Sequence, residues 1–286
     1  MTEQTKTNFD AIVIVGPTGS GKSALAVQKA LETGGVIINA DSMQVYAELQ
    51  IVTARPSKED MAEVSHLLYG YLSGREVCSA ARWLETAAKE IRRLQEDGIT
   101  PIVVGGTGLY IKALLEGLSP IPDIPPEIRA EARRFAEEEG EEKLRQLLLV
   151  HDPLTAEKFT DKHRLIRAWE IFMATGKPHS YWREQEGLKL VQANWQKIFI
   201  EPERAELYAR CDARFVKMLA EGAVEEVEAL LALDLSPELP ITKALGVPEI
   251  TAFIKGEIDR ETMIAKAQQS TRNYAKRQLT RFRHQF

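Results

Sequence analysis

Cysteine is almost missing from this sequence: the two copies, Cys78 and Cys211, lie far apart and in no Cys-x-x-Cys arrangement. A disulfide framework and a cysteine zinc site are thereby excluded, and a reducing compartment is expected. Both thiols read as small buried hydrophobes. Long apolar runs are missing as well. Nothing approaches the roughly 18 consecutive apolar residues of a membrane span, and Met1 to Asp10 is polar. The expectation is a cytoplasmic protein with no membrane partner. The chain also lacks internal repeats, low-complexity tracts, an Asn-Lys-x-Asp sequence of the kind that reads guanine, and any dedicated cluster of metal ligands. A GTPase and a protein-only metal site are set aside on those grounds.

What is present is an ordinary globular composition, 44% hydrophobic and 28% charged over 286 residues. That suits one large or two modest domains with a sizeable core. The net charge of −5 conceals an asymmetry. From Thr262 to Phe286 there is no acid, but there are Lys266, Arg272, Lys276, Arg277, Arg281 and Arg283; acid concentrates elsewhere, as in Glu137-Glu138-Glu139-Gly140-Glu141-Glu142. One end is suited to face a polyanion while the rest keeps the protein soluble.

The most specific short signal is Gly16-Pro17-Thr18-Gly19-Ser20-Gly21-Lys22-Ser23, which fits G-x-x-x-x-G-K-[ST] in full. It follows the unbroken β-branched run Ala11-Ile12-Val13-Ile14-Val15 and precedes a helical stretch that stops near Gly34-Gly35. A loop between a buried strand and a helix N-terminus gathers N–H groups around an anion. Lys22 adds a point charge on phosphate oxygens, and the Ser23 hydroxyl is placed to help hold Mg²⁺.

Further strands are expected at Val36-Ile37-Ile38-Asn39, Pro101-Ile102-Val103-Val104 and Trp195 to Ile200, with helices between them, so the fold class is α/β with a parallel P-loop-type sheet. Ligands in such sheets sit at the carboxyl ends of strands. Those ends carry the P-loop, Asp41, and Gly105-Gly106-Thr107-Gly108. A proline-dense linker, Leu118 to Pro126, opens a charged helical stretch reaching about Gly187. The domains expected are a core of residues 1–117 and 190–286 and a helical insertion of 118–189. Gly246-Val247-Pro248 reads as a helix stop. The last helix shows Ile264, Ala267, Thr271, Ala275, Leu279, Phe282 and Phe286 at steps of three and four, a docking stripe.

Asp41 is the candidate base: it can hold Mg²⁺, deprotonate an acceptor hydroxyl, or take a proton from an attacking amine, with helix capping as the bland alternative. Thr107, between glycines, offers a hydroxyl to an anion or merely serves a turn. Arg214 is a candidate for phosphate oxygens, whereas Arg204 and Arg210 read as a solvated helix face. His163-Arg164-Leu165-Ile166-Arg167 meets an RNA backbone or is a basic helix face.

In order along the chain, "GPTGSGKS", "INADSMQVY" (38–46), "TARP" (53–56), "VVGGTGLY" (103–110), "HRLIRAWE" (163–170), "TGKP" (175–178) and "TRNYAKRQLTRFR" (271–283) resemble the motifs of the bacterial tRNA dimethylallyltransferases over almost the whole sequence. That resemblance implies transfer of a dimethylallyl group from its diphosphate to the exocyclic amine of the adenosine just 3′ of the anticodon, in tRNAs reading codons that begin with U. It implies a P-loop that cradles the donor's diphosphate with Mg²⁺, and assigns Lys22, Ser23, Thr107 and Arg214 to that group and Asp41 to the adenine amine. It places tRNA contacts at Asp41, Ser42, Met43, Gln44, Thr107, Arg129, His163, Arg164, Leu165, Ile166, Arg167, Lys276 and Arg277. A monomer acting on the anticodon stem-loop is expected. The family commonly has lysine where Arg55 stands, a Gly-Tyr-Lys-like stretch at Gly246-Val247-Pro248, and tryptophan where Arg281 sits; most relatives continue past Phe286. The rivals are an adenylate dimethylallyltransferase, which needs no helical insertion or basic last helix, a small-molecule P-loop kinase, which releases ADP, and a non-catalytic RNA-binding protein, which leaves the mass of tRNA unchanged.

Overall fold

The computed structural model describes residues 9–286. Its centre is a parallel five-stranded sheet in the order β3-β2-β4-β1-β5, formed by β1 (Ala11–Val15), β2 (Val36–Asn39), β3 (His66–Leu67), β4 (Pro101–Gly105) and β5 (Trp195–Phe199). Every pairing is parallel; Val13 lies opposite Val103 on one side and Lys197 on the other. β1 and β4 are buried at every position, as their unbroken apolar runs require of strands covered on both faces. β2, β4 and β1 are immediate neighbours. Their C-terminal ends therefore form one continuous ledge.

The connecting helices are α1 (Lys22–Thr33), α2 (Lys58–Glu63), α3 (Ala80–Glu96) and α4 (Gly108–Glu116). α3 buries Trp83, Leu84, Ala87, Ala88, Ile91 and Leu94, a stripe at helical spacing. Trp83 stacks on Tyr110 with centroids 4.5 Å apart, and its indole N–H donates to the Asn39 carbonyl at 2.8 Å. The largest core side chain thus satisfies its one polar group at the strand end that precedes Asp41.

By compactness the chain divides into two units, the described residues up to Leu115 with Leu190–Phe286, and Glu116–Lys189. The second contains α5 (Pro126–Glu138), α6 (Gly140–His151), α7 (Pro153–Lys158), α8 (Lys162–Thr175) and α9 (His179–Glu184) around its own core. Its acidic run is a helix junction: Glu139 ends α5, Gly140 turns with φ 83°, and Glu141 and Glu142 occupy the first turn of α6, where the helix dipole favours negative charge. In the first unit, α10 (Arg204–Ala220), α11 (Ala223–Leu231), α12 (Val247–Ile254) and α13 (Arg260–Arg283) follow β5. The Arg272 guanidinium meets both carboxylate oxygens of Asp212 at 2.7 Å and ties α13 to α10.

Three expectations are corrected. Gly246-Val247-Pro248 starts a helix: Gly246 (φ 90°) caps α12 and Pro248 sits in its first turn, where a missing N–H costs nothing. Leu165 and Ile166, expected at tRNA, are buried in the core of the helical unit, so the apolar half of that motif packs α8. The α13 stripe begins at Met263 instead of Ile264 and includes Gln278, and Phe286 lies beyond the helix end. β3 and α2 were not legible, being only two and six residues long.

Candidate active site

The P-loop bridges β1 and α1. Gly19 and Gly21 have φ of 80° and 89°, a region open to glycine, and a Cβ on Gly19 would press on the Cys211 sulfur. Ser20 N–H turns back to the Pro17 carbonyl at 3.2 Å. The N–H groups of Gly19, Gly21, Lys22 and Ser23 find no protein acceptor among the described residues, which leaves them for an anion at the start of α1. Thr18, Gly19, Gly21, Lys22 and Ser23 face a polar pocket of about 220 Å³, shared with Asp41, Gln44, Tyr69 and Arg214. Gly16, Pro17 and Ser20 shape the loop from behind; Ser20 is buried.

Lys22 folds back so that its ammonium donates to the Pro17 carbonyl at 3.2 Å. Burial holds its pKa down to about 8, against an ordinary lysine value of 10.5; Asp41 opposes that shift and Arg214 reinforces it. The free site therefore stores an under-compensated positive charge, as a phosphate receptor should. A consequence can be measured. Between pH 8 and 10.5 the unfolded chain holds the proton that folded Lys22 has lost, so stability rises with pH through that window. The expected gain is up to about 3 kcal/mol relative to Lys22→Met, from the linkage of pKa to free energy. Saturating inorganic diphosphate, which raises the lysine pKa again, should abolish it. Denaturant unfolding at pH 7.5 and 10 checks this, and equal pH responses of the two proteins would count against it.

Asp41 follows β2 in a turn held at several points. Asn39, fully buried, accepts from Asp41 N–H at 2.8 Å and donates to the Asp41 and Leu68 carbonyls at 3.0 Å each. One Asp41 carboxylate oxygen accepts from Met43 N–H at 3.0 Å. Thr107, expected to face the anion, braces this turn instead: its hydroxyl accepts from Ser42 N–H at 2.9 Å and donates to Ser42 Oγ at 3.2 Å. It lines neither pocket described here. The close approach explains Gly105, since a Cβ there would strike the Ala40 carbonyl.

Arg214, on α10, reaches across to Thr18 Oγ1 at 2.6 Å, with its pKa lowered by burial. Arg204 and Arg210 remain on the exposed face, beside Tyr208 and Glu206 respectively, as expected. Beyond Arg214 the polar pocket adjoins a second chamber of about 300 Å³, with Thr18, Asp41, Thr53 and Arg214 in both walls. Met43, Val52, Phe215, Met218 and Leu245 give it an apolar side; Ser42, Tyr274 and Arg277 give it a polar one. Asp41 thus stands at the boundary between the P-loop pocket and a partly apolar chamber.

Several contributors escaped the sequence reading. Tyr69 enters the polar pocket from the end of β3, and burial raises its pKa, so it presents a neutral hydroxyl. Glu226 accepts from Gln50, Ile51 and Val52 N–H at 2.7 to 2.9 Å and fixes the loop that supplies Val52 and Thr53. An acid on a charged helix carries no local mark of such a task. Among the remaining candidates, Lys276 and Arg277 are exposed on α13, and Arg129, His163, Arg164 and Arg167 are exposed on helices of the helical unit.

No group of three His, Cys, Asp or Glu placed to hold a metal occurs among the described residues. The donor set nevertheless fits Mg²⁺ brought with a diphosphate: Ser23 and Asp41 share the polar pocket, and Mg²⁺ takes most of its ligands from phosphate and water.

Fold and site together define a P-loop α/β protein whose P-loop pocket adjoins a second, partly apolar chamber. The family profile of IPP transferase matches residues 44–285. A tRNA dimethylallyltransferase from Paramagnetospirillum magneticum is 52% identical over 98% of this chain and 90% of its own length; one from Rhizobium meliloti is 50% identical over 97% and 93%. Among solved structures, the full-length tRNA isopentenylpyrophosphate transferase from Bacillus halodurans superposes with a TM-score of 0.68 at 32% identity, covering 96% of this chain and 87% of that one. A eukaryotic dimethylallyltransferase acting on tRNA superposes with a TM-score of 0.81 at 28% identity, over 94% and 69%. The chain belongs to the IPP transferase family, as its motifs had indicated. Among the described residues no helix is long and apolar enough to cross a membrane.

Proposed function

We propose that the protein transfers a dimethylallyl group from dimethylallyl diphosphate to the exocyclic amine of the adenosine 3′-adjacent to the anticodon in tRNAs reading codons that begin with U, releasing diphosphate. The observation that carries this reading is Asp41 at the shared wall of the P-loop pocket and a partly apolar chamber. A kinase needs its phosphate acceptor at the receptor itself. A prenyl donor needs an apolar space beside its diphosphate, and the second chamber supplies one.

In this mechanism the loop amides, Lys22 and Arg214 hold the diphosphate and stabilise the negative charge that grows on it as the allylic C–O bond breaks. Ser23 would help hold a Mg²⁺ ion brought with the diphosphate, which would supply further charge neutralisation there. Apolar side chains around the chamber exclude water from the allylic carbon. Asp41 accepts a hydrogen bond from the adenine amine and takes its proton as the C–N bond forms. The target base leaves the stack to reach this chamber. Asp41 to Gln44, Arg129, His163, Arg164 and Arg167 are proposed tRNA contacts, with Lys276 and Arg277 providing backbone electrostatics.

Incubating the protein with unmodified tRNA, dimethylallyl diphosphate and Mg²⁺ should add one five-carbon group to one adenosine, read by mass spectrometry of digested RNA. AMP offered in place of tRNA should remain unmodified; its prenylation with tRNA untouched would move the assignment to free nucleotides. Replacing Lys276 and Arg277 together by glutamine should reduce the salt slope of tRNA affinity by about 1 to 2. An unchanged slope would remove both side chains from the tRNA-binding surface.

A further inference from the structure

Thr18 is held at all three of its polar groups by side chains from the C-terminal helices. Its hydroxyl accepts from Arg214, its carbonyl faces the Cys211 thiol at 3.5 Å, and its N–H donates to Gln278 Oε1 at 2.8 Å. The same Gln278 amide donates through Nε2 to the Gly106 carbonyl at 2.9 Å. Gln278 is buried on α13 and lies 260 residues away from Thr18 along the chain. One side chain therefore closes a bridge between the P-loop, the turn after β4 and the basic helix. A Cβ on Gly106 would displace the Gln278 amide, so the second glycine of Gly-Gly-Thr-Gly leaves the room this contact uses.

We propose that Gln278 is a positioning residue for the donor site: it fixes the orientation of the peptide joining Pro17 to Thr18, and with it the set of loop N–H groups that face the diphosphate. The inference rests on the reading above, that the P-loop holds the donor's diphosphate. Turning Thr18 N–H toward Gln278 leaves the amides of Gly19, Gly21, Lys22 and Ser23 to converge on the anion. At neutral pH a carboxamide satisfies both partners where a carboxylate cannot, because one needs an acceptor and the other a donor. An apolar residue of the same length leaves two buried backbone groups without partners, which the loop relieves by rotating.

Gln278→Met is expected to weaken binding of inorganic diphosphate with Mg²⁺ about tenfold by calorimetry, and to raise the KM for dimethylallyl diphosphate similarly with the KM for tRNA unchanged. Gln278→Glu should bind diphosphate poorly at pH 8, relative to wild type, and recover as the pH falls and its carboxyl gains the proton that restores a donor. A general loss of folding would not produce that pH signature. In the wild-type protein, amide exchange followed by NMR should find Thr18 N–H protected to a degree comparable with the interior of α13. Rapid exchange at Thr18, or unaltered diphosphate affinity in both variants, overturns the proposal. Diphosphate binding that follows this pattern while wild type fails to prenylate tRNA would keep the positioning role and remove the proposed reaction instead.

Discussion

Asp41→Ala should retain tRNA affinity and lose about 10³-fold in the rate of dimethylallyl transfer, the middle of the range for removing a general base. The turn should survive the substitution, because most of its restraints do not involve the carboxylate. Asn39 holds the Asp41 backbone at both N–H and C=O, and Thr107 holds Ser42. What disappears is one hydrogen bond to Met43 N–H and the proton acceptor at the wall between the chambers. Asp41→Asn separates these two. Its amide oxygen can keep the Met43 contact, yet it cannot take a proton at neutral pH, so its rate should be as low as that of the alanine variant. Single-turnover rates with both substrates saturating, alongside tRNA dissociation constants, make the comparison. A rate within about threefold of wild type for either variant would remove Asp41 from the chemical step.

Lys22→Met is expected to lower kcat/KM for the donor by about 10² to 10³, the scale for deleting one preorganised charge aimed at developing negative charge. The ammonium is buried beside Arg214 and held over the loop by the Pro17 carbonyl. It is destabilising until an anion arrives, and its loss should leave the apo fold intact or firmer. The wild-type enzyme should show the same charge in its pH profile. With the free lysine near pKa 8, kcat/KM for the donor should fall above that pH, because deprotonation removes the cation the diphosphate needs. In Lys22→Met that limb should vanish. Persistence of the alkaline limb in the variant would assign it to another group. Lys22 and Arg214 serve the same pocket, so the double variant should lose less than the sum of the two single losses.

Much of this site could be read along the chain because its parts are local. The P-loop needs only a strand, glycines where φ is positive and a helix start, and those lie within thirteen consecutive residues from Ala11 to Ser23. Asp41 and the Gly-Gly-Thr-Gly turn were legible for a related reason: in a parallel sheet the ends of buried strands are where ligands sit. Thr107 marks the limit of that inference. Its position at a strand end was right, but which way its hydroxyl turns depends on Ser42, a partner 65 residues away. Leu165 and Ile166 show the same limit in the helical unit, where a motif placed them at RNA and core packing took them inward.

Neighbouring residues alone carry the parallel α/β core, the P-loop motif and the family, because periodicity, glycine placement and motif order are local properties. It took folding in three dimensions to let Glu226 fix a chamber wall, to bring Tyr69 to the P-loop pocket, and to make Gln278 and Arg214 grip Thr18 from the far end of the chain. Those contacts join segments up to 260 residues apart. A hydrogen bond is chosen by distance and direction in space, and no spacing rule along the backbone encodes either one.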